Sequence, residues 1–136
     1  MKTMGVDYGD RRTGIAISDI SGSIVGDAWT IDEWNAERLA DEIVRIATER
    51  EVGQIVIGLP KNMDGTEGER AGKCREFAEL VKSRCAVPVA MWDERRSSVE
   101  AHAILHANGK KEKKHRKTVD AVAASLILEG YLAANG

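Results

Sequence analysis

The feature that most constrains the fold is the segment QIVIGL, residues 54–59, which is apolar at almost every position. A strand with one face in water alternates polar and apolar residues, whereas a strand covered on both faces is nearly continuously apolar. An amphipathic helical pattern, roughly Asn35 to Glu51, precedes this segment, and a second helical pattern follows it. The sequence therefore predicts a sheet whose interior strand is packed between helices.

The rest of the chain extends this sheet. Four other segments are predicted strands: residues 3–9, 13–20, 23–31 and 87–92. Ser97 with Glu100 is typical of the start of a further helix, and a last helix is predicted from about Thr118 to the end. A meander of strands followed by α/β units indicates a five-stranded mixed sheet with helices on both faces. A length of 136 residues fits one α/β domain spanning residues 1–136.

Acidic residues lie at the ends of two predicted strands and at the start of the last predicted helix. Asp7 ends the first strand, Asp93 and Glu94 end the fifth, and Asp120 lies in the first turn of the last helix. Ligand sites in such sheets lie beyond the carboxyl ends of parallel strands, so these acids gather if strand one runs parallel to strands four and five. Carboxylate oxygens suit Mg²⁺ or Mn²⁺, the ions that phosphodiester hydrolysis uses.

Each acid also has an ordinary structural explanation. Asp7 is a suitable turn residue before Gly9, and an acid near the start of a helix is favoured by the helix dipole. Spacing alone does not decide whether Asp93 or Glu94 faces the site. The convergence of three acids on one predicted edge favours the metal site over three separate explanations.

Basic residues point to a nucleic-acid partner. The net charge of −2 argues against binding over the whole surface but leaves room for a local patch. A basic segment stands directly before Asp120, where it would hold a phosphate backbone near the acids: Lys110, Lys111, Lys113, Lys114, Arg116 and Lys117. Arg12, Lys61 and Asn62 are further candidates for phosphate contacts. The basic segment contains no aromatic residues, so base stacking is not predicted there.

The sequence suggests no membrane association. The best apolar run, AVAASLIL, has eight residues and is too short to cross a bilayer. No secretory signal is visible at the N-terminus. We therefore expect a cytoplasmic protein.

Four segments resemble the signatures of a known family: GVDYGDRRTGIAISD, IVIGLPKNMDGTEGERA, WDERRSS and TVDAVAASLILEGYL. They are similar to segments of the YqgF/RuvX family, bacterial proteins with an RNase H-like fold, and they span nearly the whole chain. The resemblance implies a metal-dependent nuclease that acts in 5′-end maturation of pre-16S rRNA, within ribosome biogenesis. It implies that Asp7, Glu94 and Asp120 are catalytic and bind Mg²⁺ or Mn²⁺, and it favours Glu94 over Asp93.

Other functions remain open at this point. The same acids would serve a Holliday junction resolvase acting in DNA recombination and repair. A non-catalytic RNA-binding factor for ribosome assembly would need the basic residues alone. The segment DYGDRRTG also resembles the first phosphate loop of the actin and sugar-kinase superfold, but 136 residues provide only one of the two lobes of that cleft. The sequence does not distinguish a monomer from a homodimer.

Overall fold

The computed structural model describes residues 1–96 and 116–135, and the side chains of Arg96, Arg116, Lys117 and Thr118 are not described. Five strands form one sheet: β1 (Lys2–Asp7), β2 (Arg12–Ser18), β3 (Val25–Asp32), β4 (Val52–Leu59) and β5 (Val89–Asp93). The helices are α1 (Ala36–Glu49), α2 (Glu69–Lys82) and α3 (Arg116–Asn135), and a 3₁₀ turn covers Glu94–Arg96. The helix predicted to start at Ser97 lies outside the described residues.

The order of the strands places their ends as the sequence predicts. The sheet has the order β3-β2-β1-β4-β5. The β1–β2 and β2–β3 pairs are antiparallel, whereas β1–β4 and β4–β5 are parallel. The carboxyl ends of β1, β3, β4 and β5 and the amino end of β2 therefore lie along one edge, which we call the carboxyl edge.

Helices cover both faces of the sheet, as predicted. On one face α1 and α2 pack over alternate strand residues such as Val6, Ile55 and Ile57. On the other face α3 packs against residues such as Ala16 and Val56. This arrangement explains the continuous apolar run in β4, because its odd and even positions are buried against different helices.

Glycines allow α3 to approach the sheet closely. A Cβ atom at Gly14 of β2 would collide with the backbone carbonyl oxygen of Asp120, and one at Gly5 of β1 would lie 2.9 Å from the carbonyl oxygen of Ala124. The first turns of α3 consequently rest on the two strands that lead into and out of the Asp7 turn. No described helix is both long enough and apolar enough to cross a membrane.

Candidate active site

Asp7 stands at the middle of the carboxyl edge. It pairs with Gly14 of β2 and lies one step beyond the pairing of Val6 with Ile57 of β4. Val6 belongs to the core under α1 and α2, so the alternation of a strand directs Asp7 to the opposite face, toward α3. On that face its neighbour in β2, Gly14, has no side chain, and the backbone of Asp120 in α3 occupies the place that a side chain would take.

The carboxylate of Asp7 is in an unfavourable environment for a charge. Burial, followed by the negative charges of Glu94 and Asp120, raises its pKa from 3.8 to about 7, and the nearby charge of Arg70 opposes this shift. Among the described residues no hydrogen-bond donor contacts this carboxylate. The turn after β1 is instead closed by Thr13, whose hydroxyl oxygen accepts from the Gly9 N–H at 3.2 Å. The structure thus gives Asp7 no role in stabilising its own turn.

The two acids after β5 have different environments. Asp93 accepts hydrogen bonds from the guanidinium of Arg95 at 2.7 Å and from its backbone N–H at 2.9 Å, which lowers the pKa of Asp93. Glu94 lies on the α3 face, where its Oε1 atom would be 2.8 Å from a Cβ at Gly58. Burial is the largest cause of the raised pKa of Glu94, with Arg70 acting against it. The structure brings Glu94, rather than Asp93, toward Asp7.

Asp120 approaches the carboxyl edge from α3. One of its oxygens lies 3.8 Å from Nε of Arg12, the first residue of β2. Burial raises the pKa of Asp120, Arg12 lowers it and the charge of Asp32 raises it further. Because the charge of Asp120 also reaches Asp7, all three predicted acids share one electrostatic environment.

The three carboxylates do not form a complete set of ligands for one metal ion as they stand in the structure. Within residues 1–96 and 116–135, no three acidic, histidine or cysteine side chains stand close enough together to hold one ion. Asp120 is turned toward Arg12, and it would have to leave this partner to join Asp7 and Glu94 around a cation. The donor chemistry fits Mg²⁺ or Mn²⁺, and a cation would offset the burial and the repulsion that together raise the pKa of Asp7.

Arg70 is a residue of the site to which sequence reasoning assigned no role. Its guanidinium, in the first turn of α2, donates to the backbone carbonyl of Tyr8 and to the carboxylate of Asp10 at 3.1 Å. It also lies over the Tyr8 ring, 5.2 Å from the centroid. Arg70 therefore ties the turn after Asp7 to α2 while lowering the pKa of Asp7 and Glu94. The available signal was its place at the start of the helix that follows the 60–68 loop.

The predicted phosphate-binding residues are only partly within the described structure. Besides Arg12, Lys61 and Asn62 lie at the carboxyl edge, directly after β4. The Nζ atom of Lys61 is 4.0 Å from Oε2 of Glu67, and the Asn62 side chain donates to the Thr66 hydroxyl at 2.9 Å. Arg116 and Lys117 belong to the first turn of α3. Four predicted residues lie outside the described structure: Lys110, Lys111, Lys113 and Lys114.

Comparison with known sequences finds one family model and relatives that share one name. Residues 1–134 match the model of the RuvX family, which is described as a Holliday junction resolvase. A protein of Halothermothrix orenii named "Putative pre-16S rRNA nuclease" is 43% identical over 132 residues, 97% of this chain and 94% of the relative. A protein of Clostridium novyi with the same name is 44% identical over 133 residues, 97% of this chain and 98% of the relative.

Comparison with solved structures identifies the fold. A structure of Thermus thermophilus RuvC in complex with a Holliday junction substrate has a TM-score of 0.64 at 12% identity, covering 98% of this chain and 96% of that one. The fowlpox virus Holliday junction resolvase has a TM-score of 0.60 at 16% identity, covering 98% of this chain and 99% of that one. These similarities confirm the predicted RNase H-like fold.

Proposed function

The chain belongs to the RuvX family, and from that premise we propose that it is a metal-dependent nuclease acting in 5′-end maturation of pre-16S rRNA. The observation that carries the proposal is the environment of Asp7, a partly buried carboxylate without a hydrogen-bond donor among the described residues and close to the charges of Glu94 and Asp120. The name shared by relatives at more than 40% identity supports the choice of substrate. Such a substrate would place the protein in the cytoplasm.

The acids would hold the ion that the reaction needs. Asp7 at the end of β1, Glu94 after β5 and Asp120 on α3 would be the ligands, with Mg²⁺ or Mn²⁺ as the ion. When bound, this ion would activate a water molecule and neutralise charge on the leaving oxygen. Asp120 would then exchange Arg12 for the metal site, which leaves the Arg12 guanidinium available for a phosphate of the substrate.

The other polar residues would position the substrate and the acids. Arg70 holds the backbone of Tyr8 and thereby fixes the residue that follows Asp7. Lys61 and Asn62 would contact phosphates on the β4 side of the site. The basic segment from Lys110 to Lys117 would contact phosphates on the side of α3, because its last two residues begin that helix.

A cleavage assay tests this proposal. The substrate is a 5′-extended 16S rRNA fragment with Mg²⁺ or Mn²⁺, and the variants are Asp7→Asn and Glu94→Gln. We expect each variant to lose at least about 1,000-fold in rate, since several kcal/mol of transition-state stabilisation depend on the ion. Asp93→Asn is the matched control, because Asp93 adjoins Glu94 but is bound to Arg95, and we expect it to retain cleavage. Cleavage that is unchanged in Asp7→Asn would contradict the proposal.

A second candidate is resolution of DNA junctions, which the description of the family favours. The same acids and ion would act, so the fold does not separate the two substrates. A four-way DNA junction placed beside the rRNA precursor in the same assay separates them by relative rate. RNA binding without cleavage of either substrate, and indifferent to Asp7→Asn, would instead support a non-catalytic assembly factor.

A further inference from the structure

A cleft of about 830 Å³ lies beside the acids at the carboxyl edge. It is formed by the start of β2, the end of β3 and the residues that lead into α1. We call it the Trp34 cleft, and its lining residues are Arg11, Arg12, Asp32, Glu33 and Trp34. The cleft adjoins the site through Arg12, which faces both the cleft and Asp120.

Folding does not explain the position of the Trp34 indole. Trp34 directly precedes Asn35, the N-cap of α1, and an apolar residue at that position commonly packs on the fourth residue of the helix, here Leu39. Leu39 is buried, but 73% of Trp34 is exposed to solvent. The indole therefore stands in water next to the helix that it would ordinarily cover.

The backbone that carries this indole is nevertheless well held. The N–H of Glu33 donates to the carbonyl of Arg11 at 2.9 Å, which joins the two sides of the cleft. The N–H of Asn35 donates to the carboxylate of Glu33 at 3.2 Å, and the Asn35 side chain accepts from the N–H of Arg38 at 3.0 Å. An exposed aromatic ring on an ordered stretch of backbone is a suitable platform for stacking, because the backbone loses little conformational freedom when a partner binds.

The charges around the indole favour a nucleotide over an apolar ligand. Arg11 is exposed and forms no ion pair with another described residue, so its guanidinium can take a phosphate. Arg12 is shared with Asp120 and pairs in strand register with Asp32. The carboxylates of Asp32 and Glu33 repel a phosphate from their part of the cleft, whereas the Glu33 carboxylate, which accepts from the Asn35 N–H, can accept a further hydrogen bond from an amino group of a nucleobase.

We propose that the Trp34 cleft binds one unpaired nucleotide of the substrate strand, with its base stacked on Trp34 and its phosphate held by Arg11. This inference rests on the proposed function, since it places the nucleotide beside the strand that is cleaved. In the sheet order, β3 lies two strands from β1, about 10 Å at the usual strand spacing. The bound nucleotide is therefore a neighbour of the scissile phosphate, and the preferred substrate carries a single-stranded extension next to the cleavage point.

Binding measured without a divalent ion tests the inference independently of cleavage. The probes are an oligoadenylate and a stable abasic strand of the same length, both in EDTA. Trp34→Ala should weaken binding of the oligoadenylate by about 5- to 150-fold, the range for loss of one base–aromatic stack, and leave the abasic strand unaffected. Trp34→Phe should retain most of the affinity, and Arg11→Ala should weaken binding of both strands.

Ile20→Ala is the matched control, because Ile20 is also exposed and apolar, at 79%, but lies at the opposite edge of the sheet. It should change neither affinity. An equal loss on both strands in Trp34→Ala, no loss on either, or no binding of oligoadenylate by the wild type would overturn the inference. If the protein cleaves RNA but its binding of the strands does not depend on Trp34, the role proposed for the Trp34 cleft is wrong and the proposed function stands. If binding depends on Trp34 but no cleavage occurs, the proposed nuclease activity is wrong and nucleotide binding in the Trp34 cleft is supported.

Discussion

Asp7 and Asp19 occupy similar places in the chain but opposite edges of the sheet. Asp7 ends β1, and Asp19 directly follows β2. The carboxylate of Asp19 accepts hydrogen bonds from the Ser21 hydroxyl at 2.5 Å, the Ser23 N–H at 2.8 Å and the Ile24 N–H at 3.2 Å. These bonds lower the pKa of Asp19, whereas burial and neighbouring carboxylates raise the pKa of Asp7 to about 7.

The contrast separates a carboxylate that stabilises the fold from one that destabilises it. The ionised form of Asp19 is the one that its turn binds, because every partner donates a hydrogen bond. The ionised form of Asp7 is disfavoured by its surroundings, so its charge is a cost unless a cation is present. The local sequences do not reveal this, since each aspartate is followed within three residues by a glycine. The packing of α3 over Asp7 makes the difference.

The largest effect is expected for Asp7→Asn in metal-free buffer. Because the folded-state pKa of Asp7 is raised from 3.8 to about 7, its neutral form stabilises the fold at low pH, and this contribution is lost as pH rises between those values. Asparagine carries no charge at any pH. The variant should therefore be more stable than the wild type by about 2 to 4 kcal/mol at pH 8 in denaturant unfolding, and similar to it at pH 4.

A divalent ion should largely remove this difference in stability. Mg²⁺ or Mn²⁺ at 100 times its dissociation constant would stabilise the wild type by about 2.7 kcal/mol at pH 8, while Asp7→Asn should show little change in Tm. Equal stabilisation of the wild type and the variant by the ion would show that Asp7 is not a ligand. If the free energy of unfolding of the metal-free wild type does not change between pH 4 and pH 8, the claim that the charge on Asp7 destabilises the fold is wrong.

A smaller effect is expected from the close packing that forms the carboxyl edge. Gly14→Ala places a Cβ atom against the carbonyl oxygen of Asp120, so the start of α3 must shift. We expect a loss of about 1 to 3 kcal/mol in the free energy of unfolding, together with slower cleavage because Asp120 moves. Gly72→Ala is the control, since a Cβ at Gly72 in α2 meets nothing within 4 Å and alanine should stabilise that helix by about 0.5 to 1 kcal/mol. An unchanged stability in Gly14→Ala would show that α3 does not press on the site.

Much of this arrangement could be predicted from the sequence because it depends on local patterns. The apolar run at 54–59 identified β4 as an interior strand, and the succession of strands and helices placed the ends of β4 and β5 together, with the end of β1 beside them if β1 runs parallel, as it does in the structure. Asp7 and Asp120 were candidates because their positions follow from where a strand ends and a helix begins. These inferences need only periodicity and the rule that parallel strands end at one edge.

The remaining features depend on side-chain contacts that residue spacing does not specify. Glu94 faces the site while Asp93 is held by Arg95, and residue spacing alone left that choice open. The role of Arg70 depends on reaching back from α2 to Tyr8, 62 positions away. The exposure of Trp34 is not visible in its local pattern, which is equally compatible with a residue packed on Leu39.

The smallest expected effect, and the most direct test of the contrast, comes from Asp19. Its folded-state pKa lies below 3.8, so its contribution to stability is present above that pH and is lost as pH falls through the folded value. The slope is therefore opposite in sign to that of Asp7 and lies in a lower pH window. Asp19→Ala should lower Tm at pH 7, by less than the change in Asp7→Asn, with the difference from wild type shrinking below about pH 4. Asp19→Asn keeps an acceptor for the Ser23 and Ile24 N–H groups, so its Tm at pH 7 should lie between those of the wild type and Asp19→Ala. If Asp19→Ala instead raised Tm at pH 7, hydrogen bonding would not be what distinguishes the two edges of the sheet.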